Sequence, residues 1–215
     1  MKLVIDHLTR YGYDEEVKFS TQYLRLTPRS TGRQTITAWT LTLPDGAAVT
    51  TTDGWGNVLH VLTLDNPHKE ITIRASGIVD IADEGEETRD EEAELLSPLV
   101  FLRCTPLTRA DTAIREFAQR LYRPDAAEES LNQLMADLLL RMPYSPGATQ
   151  VQDSAADAFA RAKGVCQDHT HVFLACCRAL EIPARYVSGY VYSDNAQHGD
   201  ARLGGSLARR PLAVV

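Results

Sequence analysis

The sequence predicts an α+β protein with its strands first and its helices second, and three observations carry this. Apolar and polar residues alternate with period two between Leu3 and Asp80, an acidic run follows, and beyond Thr108 the apolar residues recur at helical spacing. With 215 residues, 44% of them hydrophobic and 24% charged, the chain can bury the core of one large domain or of two small ones.

In the first part, Ile71, Ile73 and Ala75 alternate with Glu70, Thr72 and Arg74, and Trp39, Leu41 and Leu43 with Thr40 and Thr42. Turn residues separate the runs at Pro44-Asp45-Gly46, at Asp53 to Asn57 and at Asp65-Asn66-Pro67, as an antiparallel sandwich or meander requires. Residues 1–82 are therefore read as a β domain and 83–96 as an acidic linker held open by its own repulsion. From Asp83 to Glu94 eight acids face only Arg89, which accounts for the whole net charge of -7.

Thr108 to Asp111 resembles a capping box, followed by Ile114, Phe117, Ala118 and Leu121 on one helix face. A second helix is expected from Ser130, with Leu131, Leu134, Met135, Leu138 and Leu139 on one side, ending at Pro143 and Pro146. A third, short one starts near Ser154. A fourth follows Gly164, with Val172, Phe173, Cys176, Ala179 and Leu180 at the helical period, and Tyr186 to Tyr192 reads as a strand packing back on it.

The composition also excludes functions. A neutral body with one acidic strip lacks the clustered Lys and Arg that nucleic-acid binding needs. No apolar run reaches the length of a membrane helix, and the N-terminal Met-Lys-Leu-Val-Ile-Asp breaks too early for a signal peptide. The expected location is cytoplasmic, with no nucleic-acid or membrane partner.

The four cysteines, Cys104, Cys166, Cys176 and Cys177, lack zinc-site spacing and are too few for a disulfide scaffold of this size. Cys176 and Cys177 read as small core side chains, and nothing assigns Cys104 a role. Cys166 sits where a helix begins, and unpaired backbone N–H groups and the positive dipole end favour a thiolate there. Position alone leaves a structural cysteine open. His169 and His171 point apart on a helix and make no metal pair, and Asp168 reads as an acid at the positive helix start. No metal or cofactor is expected.

Gly164-Val165-Cys166-Gln167-Asp168, then His171, Cys177 to Leu180, and Ile182-Pro183-Ala184-Arg185-Tyr186-Val187-Ser188-Gly189-Tyr190 closely resemble the bacterial transglutaminase-like family over about 27 residues. The β-rich half resembles the domain that precedes this core in bacterial members. The resemblance implies a papain-like core over residues 97–198, in which a helix-borne Cys, a strand-borne His and an Asp form a thiol triad, with Cys166 as nucleophile. It also implies a protein or peptide amide substrate, attacked to give an acyl-enzyme, and hydrolysis rather than cross-linking.

The family continues with a segment like His-Ala-Trp-Ala-Glu-Val and a Trp-rich strand ending in Phe-Asp-Pro, which this chain does not show. The fold expected from the resemblance is thus an N-terminal antiparallel β domain followed by an incomplete papain-like, transglutaminase-like core. His198 is the only histidine downstream, with Asp200 two residues on, and is the candidate base only if the tail returns it to Cys166. With permitted codons for Gly199 to Val215, reading one base later spells Ala-Thr-His-Ala-Trp-Ala-Glu-Val and then a Trp-rich stretch, so residues 199–215 are read as the family's own segment out of frame. Such a chain is expected to be a poor catalyst and to self-associate through an unfinished sheet edge beyond Tyr186 to Tyr192. The competing reading is a non-catalytic binding or scaffolding module that keeps the fold.

Overall fold

The computed structural model describes residues 1–82 and 96–190. These divide into two units, one of residues 1–82 with Gly189 and Tyr190, the other of residues 96–188. The acidic run, His198 and the out-of-frame reading of residues 199–215 lie outside the described residues. No described helix is long and apolar enough to cross a membrane.

The first unit has six strands, β1 (Lys2–Val17), β2 (Ser20–Thr27), β3 (Gln34–Thr42), β4 (Ala47–Thr52), β5 (Val58–Leu64) and β6 (His68–Ile81). They form two antiparallel sheets, β1-β6-β3 and β2-β5-β4. Leu24, Leu62 and Leu64 of one sheet share a core with Ile71 and Ile73 of the other, so the sheets stack as a sandwich. The alternation read from Ile71, Ile73 and Ala75 is the buried face of β6. The three turn clusters fall between β3 and β4, β4 and β5, and β5 and β6. In the second of them, Asp53 Oδ1 accepts the backbone N–H groups of Trp55 and Asn57, and Oδ2 takes Arg25 Nε at 2.6 Å. The Arg25 bond, joined by those of Asn57 and Trp55, holds this carboxyl well below the usual range.

In the second unit, two 3-10 turns precede α1 (Thr112–Leu121), α2 (Ala127–Arg141), α3 (Ala155–Arg161) and α4 (Cys166–Ala179). Ile114, Phe117, Leu134, Leu138, Phe159, Val172 and Leu174 pack into one core. The predicted helices are present, with local corrections. Asp111, not Thr108, caps α1 by accepting Ile114 N–H at 2.8 Å, while Thr108 exchanges hydrogen bonds with Thr105. α2 starts at Ala127, because Ser130 turns inward and donates to Ala127 O at 3.0 Å instead of capping the helix. Ser154 and Asp157 form the capping box of α3.

α4 is buried without interruption from Thr170 to Cys177, so it is the central helix of its unit. One feature departs further from the sequence reading. Residues 186–190 form no strand. Among the described residues no ladder partner lies beside them, and a strand exists only by virtue of one. Tyr190 belongs to the first unit, where its hydroxyl donates to Leu26 O at 3.2 Å and its ring packs on Trp39.

Arg178 locks the far end of α4. Its guanidinium donates to Phe101 O (3.0 Å), Thr108 Oγ1 (2.5 Å) and Ala184 O (3.0 Å). These acceptors come from three separate segments, and truncation takes the guanidinium from all three, leaving Phe101 O with the longer bond from Ala184 N–H at 3.4 Å. Arg178→Ala is expected to destabilise the protein by about 2–4 kcal/mol, lowering the melting midpoint by roughly 5–12 °C. Arg178→Lys should recover only part, because one ammonium cannot match a three-way fork. Calorimetry of the two variants checks this.

Candidate active site

The approach to α4 is shaped by a glycine and an acid. Val165 occupies the N-cap position, where a valine side chain has no oxygen to offer the free N–H groups of the first turn. Asp168, in the third helical position and 3% exposed, compensates from inside. Its Oδ2 accepts Val165 N–H at 2.7 Å and Thr149 Oγ–H at 2.6 Å. Gly164 makes room for that carboxylate, since a Cβ on it would lie 2.7 Å from both Asp168 Cβ and Oδ2. The expectation that Asp168 serves the helix start agrees with its bond to Val165 N–H.

Other bonds hold the same turn. Gly164 O accepts Ser145 N–H at 2.8 Å in an isolated parallel bridge with Tyr144. Gln167 Nε2 donates to Val151 O at 3.2 Å, and Thr170 Oγ1 to Cys166 O at 2.8 Å. His169 Nε2 donates to Met142 O at 2.6 Å, satisfying a carbonyl left over where α2 ends. The ring is thereby committed to joining α2 and α4.

On this anchored turn, Cys166 is the first residue of α4 and its side chain is exposed. His171 is buried at 8% exposure, its Nδ1 without a hydrogen-bond partner. Burial pushes its pKa below the ordinary histidine value, with Asp168 opposing and Arg178 reinforcing. Neither imidazole of α4 hydrogen-bonds Cys166, and His198 lies outside the described residues. No group of three or more His, Cys, Asp or Glu able to hold a metal occurs among the described residues.

Tyr186 is the site residue to which sequence reasoning gave no role. Its ring meets His171 edge-on, with centroids 6.0 Å apart. Burial raises its phenol pKa, with a smaller contribution from Cys166. The available signal was its place inside the Ala184 to Tyr190 motif, which marks the segment but not the side chain's direction.

The four thiols divide cleanly. Cys104 and Cys166 are exposed, while Cys176 and Cys177 are buried, and burial raises both thiols, Cys177 to about 12. A colorimetric disulfide reagent should therefore titrate two thiols in the native protein and four after denaturation. Three or four fast thiols without denaturant would contradict the burial of α4.

Comparison with known proteins bears on both units. Residues 3–80 match the model of the bacterial transglutaminase-like N-terminal region, and residues 115–206 that of the transglutaminase-like superfamily. An uncharacterized protein of Mycobacterium leprae is 31% identical over 222 residues, covering all of this chain and 78% of that protein. One from Mycobacterium tuberculosis is 29% identical over 216 residues, covering 93% and 69%. The crystal structure of a putative cysteine protease from Cytophaga hutchinsonii superposes with a TM-score of 0.73 at 22% identity, over 94% of this chain and 72% of that one.

Proposed function

Because the chain belongs to the bacterial transglutaminase-like family, we propose that it performs thiol-dependent amide chemistry with Cys166 as nucleophile and a protein or peptide as substrate. The observation that carries this reading is the exposed thiol at the first position of a helix whose start is fixed by Asp168, Gly164 and His169. Unpaired N–H groups and the dipole of α4 stabilise a thiolate, and the same N–H groups suit the oxyanion that develops when sulfur adds to a carbonyl.

In the proposed reaction Cys166 Sγ bonds to the amide carbon. The C–N bond then breaks, the amine leaves with a proton, and a thioester remains. Water hydrolyses the thioester, releasing the acid and restoring the thiol. An imidazole has to carry the proton from sulfur to the amine. His169 is spent on Met142 O and His171 is buried, so His198 is the chain's candidate. Unless it reaches Cys166, amide turnover is slow.

The bond of His169 to Met142 O and the burial of His171 also favour a second reading, a binding or scaffolding module that keeps the fold. Iodoacetamide at neutral pH separates the two in a Cys104→Ser background, which removes the other exposed thiol. An activated Cys166 alkylates at least about tenfold faster than a cysteine in an unstructured peptide. Alkylation at the peptide's rate supports the module.

A further inference from the structure

The edge of a sheet presents backbone N–H and C=O groups with no strand to take them, and β proteins blunt such edges with charge, proline, bulges or cover. The sandwich has four edge strands. β1 carries Lys2, Asp6, Arg10 and the acids Asp14 to Glu16, and its register breaks between Gly12 and Val17. β2 carries Arg25 and slips between Leu24 and Thr27. β3 slips between Ile36 and Ala38, and the loop before it covers part of its edge, Ser30 Oγ accepting Ile36 N–H at 3.0 Å.

Among the described residues, β4 has none of these devices. Ala47–Thr52 contains no charge and no proline, runs in unbroken register from Ala47↔Thr63 to Thr52↔Val58, and is exposed at all six residues. Beside it an apolar row crosses the sheet, because Tyr23 pairs with Val61 and Val61 with Val49. Tyr23 and Val49 are each 64% exposed.

The geometry points to β4 pairing antiparallel with β4 of a second copy about a two-fold axis at Val49, which joins two three-stranded sheets into one of six. A second copy fits better than a foreign charged segment because the strand offers no charge to steer one. Within Ala47–Thr52 it is also self-complementary, and of the like pair that the same two-fold sets beyond the strand, Asp45 against Asp53, Asp53 is already held by Arg25. The two-fold sets Val49 against Val49, Ala48 against Thr50 and Ala47 against Thr51 of the partner, and it continues the Tyr23–Val61–Val49 row of one protomer into the same row of its partner. Six residues of edge bury less than the ~1,000 Å² expected of a stable interface, so the association is weak and depends on concentration.

Sedimentation velocity from ~5 to ~500 µM, bracketing a weak dimer, should show a monomer–dimer equilibrium. Val49→Lys opposes two like charges directly across the two-fold and should weaken association at least ~tenfold, with the melting midpoint unchanged because the side chain is exposed. Val49→Cys, with Cys104 and Cys166 replaced by Ser, should give a disulfide-linked dimer on mild oxidation, whereas Thr21→Cys on the β2 edge should not. A monomer at every concentration with no cross-link from Val49→Cys overturns the inference, as does a dimer that Val49→Lys leaves intact. An unrelated extended peptide that binds at β4 without any self-association overturns the choice of a second copy.

Discussion

Replacing Cys166 by alanine is expected to abolish acylation of the protein by a p-nitrophenyl ester, a loss of at least about 100-fold, with the fold intact. An activated ester isolates the nucleophile, because nitrophenolate departs without needing a proton and leaves the general base little to do. The amide reaction demands that proton. With His198 as the proposed base and within reach of Cys166, His198→Ala is expected to leave ester acylation within about threefold while lowering amide turnover by about 10²–10⁴-fold, the range of general acid–base assistance. Where His198 does not reach Cys166, amide turnover is already slow and the substitution leaves it unchanged. The fold should survive Cys166→Ala because the side chain is exposed at the first position of α4 and alanine suits a helix. Stoichiometric nitrophenolate release in a Cys104→Ser background is the measurement. A burst that persists in Cys166→Ala would remove Cys166 from the chemistry. Equal effects of His198→Ala on ester and amide would argue that His198 acts on structure rather than on the proton.

Much of the β domain and the place of Cys166 were legible because both depend on short-range pattern. Strand β6 shows its buried face as Ile71, Ile73 and Ala75, since period two survives wherever one sheet face meets a core. Cys166 was marked by Gly164 and Asp168, which bracket the start of α4. What could not be read depends on contacts distant in sequence. The bond from His169 to Met142 O spans 27 residues, and the Arg178 fork reaches back 77 residues to Phe101. No local rule supplies either. The helical period of α4 was legible in Val172, Phe173 and Cys176, but the burial of Thr170 and His171 between neighbouring segments was not. Tyr186 to Tyr192 has the composition of a strand, but composition measures fit to a pleated surface and provides no neighbour to pair with.

Gly164→Ala is expected to destabilise the protein by about 2–4 kcal/mol and to slow alkylation of Cys166, although glycine here meets no conformational demand, since its φ is not among the positive ones. The constraint is space. The added methyl would lie 2.7 Å from Asp168 Cβ and Oδ2 and 3.0 Å from Cγ. Asp168 cannot retreat, because its Cβ is fixed to the backbone of α4 and its carboxylate is buried against Val165 N–H and Thr149. Either the Gly164 bridge to Ser145 or the cap on Val165 has to yield, and both hold the turn that presents Cys166. Asp168→Ala removes the cap and part of the obstruction, so the two costs should combine to less than their sum, by about 1 kcal/mol or more. Chemical denaturation of the two single variants and the double variant measures this coupling. Strict additivity would mean that Gly164 acts on the helix start by some route other than Asp168. Slow alkylation of Cys166 in Gly164→Ala, measured where the variant is still folded, would show that the presentation of the thiol depends on this one missing methyl.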